Sequence, residues 1–305
     1  MQDLIINNPK KLEETKRKIK KDGAQKLQVL SDFDKTLTAC FVNGQKIVSL
    51  ISILRDEKYL TPDYSKKAQA LYDKYHPLET DPNLSFEEKN RLMQEWWRTH
   101  YDLLIKSGLP KNDLKKVVAS KKISFRKGVE NFFDFLHNHN IPLVILSAAG
   151  VGSETISLYL EKHGKLFDNI EIISNEFIWD KNEKAIGIKE PIIYSLNKKY
   201  SAIKNLPIYE KLKKRKNVIL LGDGVSDAEM IGDFEYDNII KIGFLNENAK
   251  GEIANYKKNY DIIILNDGPI DYVLDSFRRA FDVIVLDDGP LDYVNELLTE
   301  LVMVK

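Results

Sequence analysis

The sequence predicts an α/β fold: a parallel sheet flanked by helices, with a mainly helical segment inserted after the first central strand. Three observations carry this expectation. Apolar runs at 27–30, 142–146 and 218–221 are short, nearly uninterrupted and followed by polar residues, the pattern of strands buried on both faces of a parallel sheet. The segment 127–138 places Val129, Phe132, Phe133 and Leu136 on one stripe and leads into the second run, as a right-handed crossover helix should. Between 38 and 124 the pattern changes to helical periodicity divided by prolines.

Composition sets limits on function. The 305 residues suffice for one large domain or a core plus an insert, and a hydrophobic content of 43% supports a sizeable core. Lys+Arg and Asp+Glu both total 46, so the formal charge is zero and gives no general attraction to a nucleic-acid polymer or an anionic membrane. Any phosphate affinity must be local. Cys40 is the only cysteine, which excludes an intramolecular disulfide and a cysteine-cluster zinc site. The first residues show no basic stretch followed by an apolar one, and no later run approaches a membrane span. The expectation is a cytoplasmic protein without membrane attachment.

In chain order, 9–21 reads as a lysine-rich helix with a solvated face, Leu12 and Ile19 lying seven apart, and Gly23 ends it. The first strand follows. The insert's helices are expected at 46–54, 64–74, 85–106 and 111–119, separated by Pro62, Pro77, Pro82 and the Gly108-Leu109-Pro110 turn; Ser85 and Glu88 have capping-box spacing. After the second strand come a helix at 154–163, a strand at 170–174 and an irregular hairpin at 175–188. The third strand opens onto Gly222-Asp223-Gly224, a tight turn and a helix start.

Chemistry collects where these strands end, as it does in open α/β sheets. The first run closes on Asp32-Phe33-Asp34-Lys35-Thr36. Asp32 can act as a nucleophile toward phosphorus, with Asp34 as the neighbouring acid and base. Two carboxylates this close repel unless a cation lies between them, and Mg²⁺ suits their oxygens. The same cluster also fits a polar strand-to-loop turn. Ser147 ends the second run, and Ala148, Ala149, Gly150 and Gly152 let backbone N–H groups approach a phosphate oxygen. Asp223 and Asp227 follow the third run, and the Asn197-Lys198-Lys199 stretch can supply a fixed positive charge.

This ordered set resembles the haloacid dehalogenase-like phosphatases. Residues 23–34, Glu95-Trp96-Trp97, Asn131-Phe132-Phe133-Asp134, Leu220-Leu221-Gly222-Asp223 and Lys241-Ile242-Gly243-Phe244-Leu245-Asn246 further resemble the cytosolic 5′-nucleotidase III (pyrimidine 5′-nucleotidase) family, from about Asn8 to about Leu274. The resemblance implies a Rossmann-like haloacid dehalogenase core at 1–40 and 122–305 and a helical cap at 41–121. It implies Asp32 as nucleophile, Asp34 as acid and base, and Mg²⁺ held by Asp32, Asp223 and the Asp34 main-chain carbonyl. Ser147, Ala148 and Lys198 would bind phosphate, with Asp227 behind them orienting water or Lys198; Lys198 is selected over Lys189 and Lys199 by the Asn-Lys pair. The family often has serine at position 224 and glycine at 226; this chain reverses them and keeps both carboxylates.

By the same resemblance Glu79 contacts the nucleobase edge and Trp97 stacks on the base. Tryptophan at 97 resembles the subgroup acting on 7-methylguanosine monophosphate, and pyrimidine monophosphates remain equally compatible. Successive helical positions point about 100° apart, so only one of Trp96 and Trp97 is expected to face a ligand. The implied activity is hydrolysis of a nucleoside 5′-monophosphate, with phosphotransfer to a second nucleoside as a side capacity, by a monomer or weak dimer. A broader sugar-phosphate phosphatase and a catalytically silent nucleotide-binding module are the alternatives. One feature is unlike the family. Residues 260–274 recur at 281–295, an offset of 281 − 260 = 21, as a tandem strand-turn-helix tail within 260–305.

Overall fold

A seven-stranded sheet organises the computed structural model of the chain, which describes residues 4–271 other than 43, 48, 57, 58, 80, 82, 121 and 205. The chain begins with β1 (Leu4–Ile6), α1 (Pro9–Asp22) and β2 (Leu27–Ser31), then a small hairpin of β3 (Phe41–Val42) and β4 (Gln45–Lys46). Four helices follow: α2 (Leu50–Asp56), α3 (Tyr64–Glu79), α4 (Phe86–Lys106) and α5 (Lys111–Ala119). Then come α6 (Val129–Asn138), β5 (Leu143–Leu146), α7 (Ser153–Lys162), β6 (Ile170–Ile173), and a second hairpin of β7 (Phe177–Trp179) and β8 (Ala185–Ile188). The described chain ends with α8 (Tyr209–Leu212), β9 (Asn217–Gly222), β10 (Asn238–Leu245), α9 (Ala249–Asn259) and β11 (Ile262–Leu265).

The strand order is β1-β11-β10-β9-β2-β5-β6, with β2 between β9 and β5. Every neighbouring pair is parallel except β1 with β11. The sheet is therefore mixed at one edge. Leu4-Ile5-Ile6 is too short to show a period in the sequence, and pairing covers the β11 edge that would otherwise stand open.

Alternation along the strands fills two apolar layers. Val29, Leu143, Ile145, Ile219 and Leu221 join Phe132 and Phe133 of α6 and Ile156 of α7 on one face. Leu30, Val144, Leu146, Leu220 and Ile263 meet Tyr200, Met230 and Tyr256 on the other. The lysine-rich α1 docks on the first layer through Leu12 and Ile19, and Lys16 between them is also buried, its ammonium 2.9 Å from Glu13.

The insert leaves and re-enters the core at a bridge between Thr38 and Phe125. Its helices follow the sequence reading with two differences. Lys46, where a helix is expected to begin, instead ends a strand, because Gly44 at φ 75° turns the chain into a hairpin, and α2 starts only at Leu50. Helix α3 runs through Pro77, which lies in its last turn, where little of the hydrogen-bond ladder remains to be interrupted. The capping box forms: Glu88 N–H donates to Ser85 Oγ at 3.2 Å, and Ser85 N–H to Glu88 Oε2 at 3.0 Å.

Arg126, 1% exposed, ties the loop after β2 to the far strands. Its Nε donates to Thr36 O at 2.7 Å, one amino group to Gly268 O at 2.9 Å, and the other to Lys35 O and to Asn246 Oδ1 at 3.0 Å. Asp267 lies 2.9 Å from the guanidinium and accepts the Cys40 and Phe41 N–H groups at 2.8 Å each. The turn in the first copy of the repeated tail is thus a latch on the loop after β2. Residues 272–305, including the copy at 281–295, lie outside the described residues.

Replacing Arg126 by Met leaves Asp267 and several carbonyls buried without their partner. The expected loss is about 3–5 kcal/mol of unfolding free energy, read from the urea midpoint.

Candidate active site

Register places the chemistry. Ser31 pairs with Ile145 on one side and Leu221 on the other, so Asp32, Ser147 and Asp223 leave the sheet at the same edge. Asp32 N–H donates to Leu221 O at 3.0 Å and Ser147 N–H to Ile173 O at 2.9 Å, so both residues begin their loops still held by the sheet. Lys198 arrives from the segment between β8 and β9. Its ammonium sits 2.5 Å from Asp32 Oδ1 and 2.7 Å from Asp227 Oδ1, all three side chains at most 8% exposed. Lys189 instead pairs with Glu176 at the surface.

Asp227 is fixed from both ends. Its Oδ2 accepts the N–H groups of Asp223 at 3.1 Å and Gly224 at 2.9 Å, while Oδ1 takes Lys198. A side chain at Gly222 would collide with Asp227, so that position must be glycine for the turn to fold back. Tyr256 and Tyr260, ring centroids 5.4 Å apart, donate to the carbonyls of Asp223 and Gly224 and hold the turn from behind.

Carboxylate oxygens of Asp32, Asp223 and Asp227 lie within 4.8 Å of one another. Burial pushes the Asp32 carboxyl above its ordinary range, Lys198 pulls it back, and Asp227 adds to the push. Asp223 is driven well above its ordinary range by burial, then by Asp32 and Asp227. Lys198 stays charged: burial works against the ammonium, but Asp227 and Asp32 outweigh it. Three carboxylates around one ammonium leave an excess of negative charge that a hard divalent cation would relieve, so the donor set fits Mg²⁺. With both Asp227 oxygens engaged, Asp32 and Asp223 are the side chains open to the ion. The Asp34 side chain lies outside this cluster and lines the adjoining cavity. Burial, and next the Asp32 charge, push Asp34 up to about 7, the range of a group that both gives and takes a proton.

That cavity, about 220 Å³, lies between the sheet edge and the insert. Asp34, Ala148 and Gly150 form its core side; Arg55, Tyr64, Tyr72, Trp96, Trp97 and His100 are among the insert residues. Both tryptophans border it, their ring centroids 6.2 Å apart and tilted by 45°, so a helix flank presents to the cavity what a single face could not. Glu79 is not among the lining residues: its Oε1 accepts the Ser195 hydroxyl at 2.5 Å. Helix α4 also grips the loop after β5. His100 Nε2 is 3.0 Å from Gly150 O, which makes it the donor, and Tyr101 OH donates to Ala149 O at 3.0 Å.

The sequence reading did not single out Arg126, Tyr256, Tyr260, Arg55 or Tyr64. Arg126, Tyr256 and Tyr260 act on backbone groups far along the chain, which no local pattern displays.

Residues 35–275 match the pyrimidine 5′-nucleotidase (UMPH-1) family. The 7-methylguanosine phosphate-specific 5′-nucleotidase A of Xenopus laevis is 34% identical over 269 residues, 88% of this chain and 92% of the relative. The putative cytosolic 5′-nucleotidase 3 of Caenorhabditis elegans is 34% identical over 273 residues, 87% and 72% of the two chains. Among solved structures, cytosolic 5′-nucleotidase IIIB bound to cytidine superposes with a TM-score of 0.81 at 24% identity, covering 92% of this chain and 95% of the other. A haloacid dehalogenase-family hydrolase from Salmonella enterica follows the same fold at a TM-score of 0.54 and 15% identity, covering 86% and 74%.

Burial, against the Gly150 hydrogen bond, pushes His100 down to about 4, with the Arg55 charge adding to the push. The unfolded chain then takes up a proton near pH 6.5 that the folded chain refuses, so this contribution to stability is intact above 6.5 and lost as pH falls toward 4. Urea midpoints measured from pH 7 to 4.5 should decline less steeply for His100→Asn than for the parent chain.

Proposed function

Because the chain belongs to the pyrimidine 5′-nucleotidase (UMPH-1) family, and is a 5′-nucleotidase on a haloacid dehalogenase-like fold, we propose that it hydrolyses nucleoside 5′-monophosphates with a pyrimidine or 7-methylguanine base through an aspartyl phosphate on Asp32. The observation that carries this reading is the buried Asp32–Lys198–Asp227 arrangement opening beside a cavity that Asp34 lines.

With phosphate seated over Asp32, the carboxylate attacks phosphorus and the bond to the 5′-oxygen breaks. Asp34 gives its proton to that oxygen and the nucleoside leaves. Lys198, the Ser147 hydroxyl and the Ala148 N–H group neutralise the equatorial oxygens, where charge gathers in a loose phosphoryl transition state. Asp34, now ionised, takes a proton from water as the water attacks phosphorus; phosphate departs and Asp32 is restored. Magnesium, held by Asp32, Asp223 and the Asp34 main-chain carbonyl, would supply positive charge beside the transferring group. If a second nucleoside enters before water, the same aspartyl phosphate supports phosphotransfer.

Trp97 supplies an aromatic face for the base, and its neighbour Trp96 widens that platform. Glu79 would reach a base edge by exchanging its Ser195 partner. No helix among the described residues is long and apolar enough to cross a membrane. We place the reaction in the cytoplasm, on free nucleotides rather than a nucleic-acid polymer, in a monomer or weak dimer; the cytosolic relatives support the location.

Asp32→Asn should remove nucleotide turnover while the far-ultraviolet circular dichroism and thermal unfolding stay those of a folded chain; near-normal phosphate release would exclude Asp32 as nucleophile. Chelation with EDTA should stop phosphate release from CMP, UMP or 7-methyl-GMP, and excess Mg²⁺ should restore it.

A further inference from the structure

Lys198 and Ser147 must meet the same phosphate oxygens, yet they arrive on segments that share no strand: Ser147 on the loop after β5, Lys198 on the irregular stretch 190–199. One side chain joins the two. Asn175, 2% exposed just past the end of β6, accepts the Ile193 N–H on Oδ1 at 2.7 Å and donates from Nδ2 to Ile193 O at 2.8 Å. Pairing with both backbone groups of one residue needs a donor and an acceptor side by side, which an amide offers. The Asn175 main-chain carbonyl accepts the Ser153 N–H at 2.7 Å, and the neighbouring Ser174 Oγ accepts the Ala149 N–H at 3.3 Å. The same strand end therefore holds the loop after β5. The Asn175 amide also acts on the Tyr101 hydroxyl, which donates to Ala149 O at 3.0 Å.

From Ile193 the hold passes to Lys198 through a turn. Asn197 Oδ1 accepts the Tyr194 N–H at 2.7 Å and its Nδ2 donates to Ile192 O at 2.8 Å, which closes 192–197 directly before the lysine. Asn90 and Glu79 of the insert accept the Tyr194 and Ser195 hydroxyls, while Asn175 ties the same stretch to the sheet.

We propose that Asn175 and Asn197 are positioning residues for phosphoryl transfer: through Ile193 and the closed turn they fix the Lys198 ammonium relative to the Ser147 loop, so that both meet the transferring group together. This rests on the nucleotidase reading above and adds the residues that hold its lysine in place. Asp32 and Asp227 attract the ammonium, but a lysine stem is flexible and leaves its backbone free to shift. Anchoring that backbone at 193 and 197 removes the freedom before phosphate arrives. A charge lowers a barrier most when it needs no rearrangement at the moment of reaction.

The test compares the parent chain with Asn175→Asp and Asn197→Ala in excess Mg²⁺, using CMP or 7-methyl-GMP, whichever the parent turns over faster. It reads kcat, KM and the inhibition constant of orthovanadate, a five-coordinate mimic of the transferring phosphoryl group. Asn175→Asp keeps the shape and the acceptor for the Ile193 N–H, and sets a carboxylate oxygen against the Ile193 carbonyl. In this variant kcat should fall about tenfold to a hundredfold, the scale of a reacting group misplaced by about an ångström, with KM changed less than about threefold. The orthovanadate constant should rise by the factor by which kcat/KM falls. A merely structural role would lower the thermal midpoint and the folded fraction, and hence kcat, but would leave that constant where it was. Asn197, which is half-buried, should show the same pattern on replacement by Ala, and that variant decides the matter by itself if Asn175→Asp does not fold. An orthovanadate constant equal to the parent's overturns the inference alone. A parent chain that releases phosphate from neither nucleotide removes the nucleotidase reading and this inference with it.

Discussion

Like charge held together in a dry place is the constraint on which this molecule depends. Asp32, Asp223 and Asp227 stand within 4.8 Å of one another at the sheet edge, with the Lys198 ammonium between two of them. Left to water, carboxylates at this spacing would separate or protonate. Here they cannot separate, because each is anchored: Asp32 follows the central strand, Asp227 is pinned by two backbone N–H groups, and Asp223 leaves β9 under two tyrosines. The resulting shortage of positive charge suits the site to a divalent cation and to the charge that develops on a transferring phosphoryl group.

Much of the remaining structure resists that repulsion. The two apolar layers fix the strand register that brings Asp32, Ser147 and Asp223 to one edge. Arg126 stitches the loop after β2 to the turns after β10 and β11, and Asp267 returns the contact through the Cys40 and Phe41 N–H groups. Helix α4 grips the loop after β5 through His100 and Tyr101, turning the Ala149 and Gly150 carbonyls toward the insert. One helix therefore both walls the cavity and holds the loop whose N–H groups would face phosphate, so a change in the insert is felt at the reacting end.

The cavity sets two electrostatic regimes side by side. At its base, burial and Asp32 raise Asp34 until it exchanges protons near neutrality. On the insert side, aromatic rings line the wall beside Arg55, and His100 is kept neutral. The first suits proton traffic; the second suits stacking of a planar ring.

The sequence by itself determined the strand-end placement of Asp32, Ser147 and Asp223, because apolar runs and their polar terminators are local patterns. It also determined the capping of α4 at Ser85 and, with the family resemblance, the choice of Lys198. It did not reveal the antiparallel edge strand at Leu4–Ile6, the hairpin through Gly44, the Arg126 latch, or that both tryptophans border the cavity. Glu79 sits on Ser195 and is not among the residues that line the cavity. These matters were decided only in the tertiary structure. A short strand is stable only beside its partner, an arginine is a latch only where distant carbonyls converge, and a cavity is defined by which side chains leave it unfilled.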